Sequence, residues 1–168
     1  NAGGGALWAG ASEEVRELAE LLSMPVATTL LGKSVFPENH PLSVGGGVYP
    51  RSRYASGPAL HVNRKADVVL AVGNSFRLPN GTDGRPIPEH VKLIHINADE
   101  TDINKIYQAD VPILADAKLA LRDLIDAVKD RIGNEERGIK PEVSGEIKEA
   151  KDKWISEWMP VFTDSSTP

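Results

Sequence analysis

The stretch Asp67-Val68-Val69-Leu70-Ala71-Val72-Gly73 (DVVLAVG) is a continuous apolar run closed by a glycine. A strand with one wet face alternates apolar and polar residues, whereas a strand covered on both faces does not. The run therefore predicts a buried strand that ends in a turn at Gly73. Working outward, VKLIHIN (91–97) and VPILAD (111–116) follow downstream, and PVATTL (25–30) lies upstream. Between these runs the period changes to that of a helix. Val15, Leu18, Ala19 and Leu22 form one stripe, with Ser12 as expected N-cap and Glu13 and Glu14 at the positive end of the helix dipole. Another helix is expected to end before Ala66. A third carries Ala117, Leu121, Leu124, Ile125, Val128 and Ile132 on one face, capped by Asp116 and Gly133. Residues 32–49 and 74–90 are rich in Gly and Pro and read as loops. Strands alternating with helices give an α/β class: a Rossmann-like parallel sheet with helices on both faces.

Composition narrows the function. With 168 residues, 40% of them hydrophobic and 26% charged, the chain has the make-up of a globular protein with a real core. Its net charge of −5, with basic residues scattered among acids, argues against nucleic acid or a membrane surface as partner. No apolar run is long enough to span a bilayer, and the N-terminus lacks the features of a secretion signal. There is no cysteine, hence no disulfide, thiol nucleophile or thiolate metal site. A cytoplasmic protein is expected.

After Gly133 the sequence becomes densely charged (NEERGIKPEVSGEIKEAKDK), and from Ser144 it can form a helix. Ile147, Ala150, Trp154, Ile155 and Trp158 would share one face. The expected organisation is a domain over 1–133, then a charged linker and amphipathic helix over 134–168 that leads to a further, catalytic domain.

In an open parallel sheet, ligands bind beyond the carboxyl ends of the strands. Gly3-Gly4-Gly5 precedes a helix, and bare glycine amides suit a phosphate, although a tight strand-to-helix turn would look the same. Gly45-Gly46-Gly47 likewise permits close ligand approach or a simple bend. Asp99 and Asp116 stand at strand ends, where a carboxylate accepts a ribose hydroxyl or caps a helix; the cap is favoured for Asp116. Lys33 and Arg77 suit a phosphate or bulk solvent. GKS at 32–34 is not a P-loop, because Ala27 stands where GxxxxGK[ST] requires glycine. His40, His61, His90 and His95 lack metal-ligand spacing, and no serine sits in a GxSxG elbow. No catalytic constellation emerges, and no metal site.

The order of motifs is more specific than any one of them. AGGGALWAGASEEVRELAELLSMPVATTLLGKSVFPENHPLSVG (2–45), ADVVLAVGNSF (66–76), VKLIHINADETDINK (91–105) and VPILADAKLALRDLI (111–125) together resemble the central domain of thiamine-diphosphate-dependent enzymes. That family includes acetolactate synthase, pyruvate oxidase, benzoylformate decarboxylase and oxalyl-CoA decarboxylase. The resemblance implies a Rossmann-like (DHS-like) sheet between two other domains. One supplies the glutamate that activates thiamine; the other holds Mg²⁺ and the diphosphate on GDG and NN motifs. Thr82-Asp83-Gly84 is the nearest imitation of GDG, and where NN should follow, the chain reads QADVPIL. The thiamine and Mg²⁺ sites are therefore expected elsewhere, and this chain is not expected to be catalytic alone. The parent enzyme would decarboxylate a 2-keto acid and transfer the carbanion, as a lyase or transferase, and would be a homo-oligomer, dimer or tetramer.

In flavin-binding members of the family, this domain holds FAD. Carried onto this chain, the positions are Gly3, Gly4, Gly5, Thr29, Leu30, Gly46, Gly47, Asn74, Phe76, Asp99 and Asp116. Acetolactate synthases usually show GMHG where this chain has GGGV (45–48), and arginine where it has Ser75. FAD, ADP and an empty, purely structural cleft all stay open, as does a free-standing FAD-, NAD- or ADP-binding module. In the family the first glycine triplet ends a first strand whose apolar residues lie just before Asn1. The sheet is thus expected either to lack a central strand or to have another segment in its place.

Overall fold

The structure, a computed structural model, describes residues 1–46, 53–76, 87–133 and 138–166. Its elements are α1 (Gly4–Trp8), α2 (Ser12–Leu22), β1 (Val26–Thr28), β2 (Ser43–Gly46), α3 (Arg53–Lys65), β3 (Val68–Val72), β4 (Lys92–Asn97), β5 (Val111–Leu114), α4 (Ala117–Ile132) and α5 (Pro141–Phe162). Among the described residues all pairing is parallel. β1 pairs with β2, from Val26 opposite Ser43 to Thr28 opposite Gly46. β4 lies between β3 and β5, with Val68 opposite Lys92 and Ile94 opposite Val111.

Asn1 and Ala2 join these two groups of strands. Ala2 bridges to both Thr28 and Val72. Its N–H donates to the Ala27 carbonyl at 2.9 Å, and its carbonyl accepts from Thr29 N–H at 2.9 Å. On the other side, Val72 N–H donates to the Asn1 carbonyl at 2.9 Å and Gly3 N–H to the Val72 carbonyl at 2.8 Å. The sheet order is therefore β2, β1, the Asn1–Ala2 segment, β3, β4, β5. Among the described residues no other segment takes the central position; two residues hold its carboxyl end.

The main core lies around the middle of this sheet. Leu18, Phe36, Leu42, Ile96, Leu121, Ile125 and Ile147 are each no more than 2% exposed and belong to one cluster. α2 packs with α4 and α3 with α5, the amphipathic faces closing on the sheet. A second cluster of Val69, Ala71, Phe76, Ile87, Val91, Leu93 and Ala109 lies under the β3–β4 half.

Several expectations change. Ser43–Gly46, read as loop, is strand β2 because docking on β1 overrides its glycine-rich composition. Ser12 lies inside α2, whose N-cap is Ala11 with no side-chain cap. Leu22, expected on the buried stripe, is 39% exposed. The last helix starts at Pro141, a residue whose missing N–H is harmless in a first turn. Along that helix Ile147 is buried while Ile155 faces solvent, and Trp154 rests on Gly57 of α3, where a Cβ would overlap the indole. The apolar run of β5 is an edge strand: Val111 and Leu114 are exposed, and among the described residues only β4 pairs with it. An apolar run cannot by itself distinguish an edge strand from a central one. Among the described residues no helix is long and apolar enough to cross a membrane.

Candidate functional site

The carboxyl ends of β1, β3, β4 and β5 open into a cleft of about 1100 Å³. Its floor is built by close backbone packing. Gly73 follows β3 with φ +57, a left-handed conformation suited to glycine. Helix α1 lies directly on it: a Cβ on Gly3 would overlap the Gly73 carbonyl, and one on Gly5 would stand 2.8 Å from Gly73 Cα. Gly5 N–H donates to the Gly73 carbonyl at 2.9 Å. Two amides of the triplet are thus engaged by backbone acceptors, so in this structure the glycines chiefly permit α1 to approach the β3 turn.

One wall is apolar. Trp8 on α1 and Leu30 are each 83% exposed, and Leu31 is 72% exposed, so these three present apolar surface at the mouth. Beneath them Thr29 is buried, its hydroxyl accepting Gly32 N–H at 3.0 Å. The opposite wall carries Asn97, Asp99, Glu100, Asp102 and Asp116. Asp116 Oδ1 accepts from Lys118 N–H (2.9 Å) and Leu119 N–H (3.1 Å), which makes it the N-cap of α4. Asp99 Oδ1 accepts from the Thr101 backbone at 2.9 Å and hydroxyl at 2.7 Å. Among the described residues that line the cleft there is no lysine or arginine.

The back of the cleft is fixed by Asn74. Its Oδ1 accepts Phe76 N–H at 2.9 Å, which supports the positive φ (51) of Phe76. Its carbonyl accepts from His95 Nε2 at 2.8 Å, which assigns the ring proton to Nε2. His95 is 1% exposed and its Nδ1 has no hydrogen-bond partner. Burial is the main cause holding its pKa below the usual histidine value; the Asn74 carbonyl and Asp102 oppose it. A neutral ring on the edge of Phe76 is a packing element.

Of the residues expected to bind a cofactor, Gly4, Gly5, Thr29, Leu30, Asn74, Asp99 and Asp116 line this cleft. Gly3 lies beneath it. Phe76 is buried in the second cluster, edge-on to His95 and Tyr107. Gly46 sits at the end of β2 and does not line the cleft. Gly47 lies outside the described residues, as do Arg77 and Thr82–Gly84. Trp8 and Leu114 also line the cleft and were not anticipated, while Leu31, Asn97, Glu100 and Asp102 fall in the strand-end loops 28–33 and 97–102, where a ligand was expected, without having been named individually as contacts. An isolated exposed Trp or Leu leaves no linear signal.

The family model described as "Thiamine pyrophosphate enzyme, central domain" matches residues 1–124. The chain belongs to this family. As a central domain, it is 42% identical over 127 residues to the "Probable acetolactate synthase large subunit" of Methanocaldococcus jannaschii, covering 76% of this chain and 21% of that protein. It is 38% identical over 159 residues to the protein of the same name from Methanococcus aeolicus, covering 94% and 24%. Its fold superposes on a Mycobacterium smegmatis protein assigned to the thiamin diphosphate-dependent enzymes, with TM-score 0.59 and 28% identity, covering 80% of this chain and 26% of that one. The central domain thus spans about a fifth to a quarter of these relatives, and a free-standing FAD or NAD module is not favoured. The residues described here do not fit thiamine diphosphate and its metal. Among them no three His, Asp or Glu side chains converge to hold the cation that accompanies thiamine diphosphate.

Proposed function

We propose that this central domain is a scaffold between the flanking domains of an acetolactate-synthase-like enzyme, and that its cleft receives the adenosine end of FAD or ADP. The parent reaction is then decarboxylation of a 2-keto acid with carboligation or transfer, performed by the flanking domains. The observation that carries the nucleotide reading is the pairing of an apolar wall (Trp8, Leu30, Leu31) with carboxylates of Asp99 and Asp116 across a strand-end cleft. A purine ring suits the first and a ribose diol the second. The reading also places the enzyme in the cytoplasm as a dimer or tetramer, with 1–133 as the domain proper and 134–168 as the lead into the next.

A purely structural cleft is the second reading. It is favoured by the engaged amides of Gly3 and Gly5 and by the lack of a described cation for the phosphates. Thermal melts of the chain with FAD, ADP and NAD separate the two. A ligand at 100 times its Kd stabilises by about 2.7 kcal/mol. FAD or ADP should raise the melting temperature, and Asp99→Asn should weaken that response. A flat response to all three nucleotides overturns the nucleotide reading.

A further inference from the structure

Strand β4 lies between β3 and β5, with Leu93 and Ile96 in the two cores, and His95 beside them is 1% exposed. Burying an imidazole costs more than burying an apolar side chain unless its ring nitrogens are paired. Here Nε2 donates to the Asn74 carbonyl at 2.8 Å, and Nδ1 has no partner among the described residues. Packing alone would be met by an apolar side chain, so the histidine is accounted for by the carbonyl. The β3–β4 ladder reaches Gly73, whose N–H donates to the Ile96 carbonyl. One residue further on, the Asn74 carbonyl takes its donors from side chains: His95 Nε2 and, at 3.4 Å, Asn97 Nδ2. These two residues stand two apart on β4 and so share a face of the sheet. A buried carbonyl needs such a donor.

What they hold is a constrained turn. Phe76 has φ +51, a left-handed value that a bulky side chain rarely adopts and that persists where the surroundings enforce it. Asn74 Oδ1 accepts Phe76 N–H at 2.9 Å, and the Phe76 ring packs edge-on against both His95 (5.1 Å) and Tyr107 (5.0 Å). The turn serves two places at once: Gly73, Asn74 and Ser75 line the cleft, while Phe76 is buried in the second cluster. A side chain that fixes the Asn74 carbonyl therefore fixes that part of the cleft wall. We propose that His95 is a positioning residue for the cleft: its Nε2–H clamps the Asn74–Phe76 turn and so sets the wall against which the ligand lies. The effect on a ligand rests on the nucleotide reading; the clamp itself does not.

The test compares the unaltered full chain with His95→Gln, which keeps an N–H donor, and His95→Leu, which loses it. FAD and ADP are titrated calorimetrically at a temperature where each form is fully folded. His95→Leu should weaken nucleotide binding by about tenfold and speed amide exchange at Phe76 by a similar factor, as the loss of one buried hydrogen bond allows. His95→Gln should stay within about threefold of the unaltered chain in both. Equal effects of the two substitutions, or unchanged binding or exchange in His95→Leu, overturn the proposal. An unaltered chain that binds neither nucleotide overturns the nucleotide reading instead. Phe76 exchange then decides the clamp alone: faster in His95→Leu and restored in His95→Gln supports it, and any other pattern overturns it. Should His95→Leu not fold, nitrogen NMR of the unaltered chain at neutral pH decides. A ring proton on Nε2 protected from exchange supports the clamp, and a proton on Nδ1 overturns it.

Discussion

The ammonium of Asn1 donates to the Leu70 carbonyl from a partly buried position, and burial pushes its pKa from the ordinary 8.0 down to about 5. The folded chain therefore holds this proton less tightly than the unfolded chain, and protonation favours unfolding. The destabilisation is fully present below pH 5, fades as pH rises from 5 to 8, and is absent above 8. Urea midpoints should climb across that window, and acetylating the amine should remove that part of the climb. Gly73 is the second sensitive position. A Cβ there would overlap Ala6 N, and φ is +57. Gly73→Ala should destabilise by about 2–4 kcal/mol, since crowding adds to the left-handed conformation. Gly45→Ala, with φ +83 and no described atom near its Cβ, should lose only about 1 kcal/mol. Denaturant titration of the pair separates crowding from backbone preference.

At the scale of elements, α4 was legible because three local signals agree: an Asp cap, an apolar stripe and a C-terminal glycine. Asp116→Ala should cost about 1 kcal/mol, read as a shift of urea midpoint at unchanged slope, and restored in large part by Asp116→Ser. Helix α2 was legible in its periodicity but not at its start. Ser12 has the chemistry of a cap, yet the chain turns into the helix one residue earlier. What fixes α2 instead is tertiary. Glu14 in its first turn is 1% exposed and accepts from Arg122 of α4, while Glu17 accepts from both Arg122 and Lys129. The Lys129 bond chiefly holds the Glu17 carboxyl below its usual pKa. Strand β2 was illegible because Ser-Val-Gly-Gly has the composition of a turn. It is a strand only by virtue of its partner, as short parallel strands commonly are.

At the scale of the molecule, α5 closes the fold although its sequence reads as a departure from it. Ile147 is 2% exposed in the same cluster as Leu18 and Ile125. Ile147→Ala should lower global stability by about 2–4 kcal/mol in a single cooperative transition. A separate, early melting of the helix would instead mark 134–168 as an independent unit. The candidate cleft was partly legible for a reason of topology. Glycines and acids at strand ends are readable from where the apolar runs stop, which is how Gly4, Gly5, Asp99 and Asp116 were found, whereas Thr29, Leu30 and Asn74 were named only through the family resemblance. Phe76 sits one turn beyond such an end, but its side chain folds back against His95, a choice made by the Asn74 turn and the second core. Trp8, Leu31 and Leu114 enter the cleft from three separate segments, so no linear pattern could group them. By itself the sequence determined the alternation of elements, the parallel sheet and the family, because period and strand-end chemistry are local and ordered along the chain. Only the tertiary structure decided that β2 is a strand and β5 an edge. It also decided that the Gly3–Gly5 triplet is a close-packing surface for Gly73 and that two residues carry the middle of the sheet. Each of these depends on what lies across a gap in space, which a one-dimensional pattern does not record.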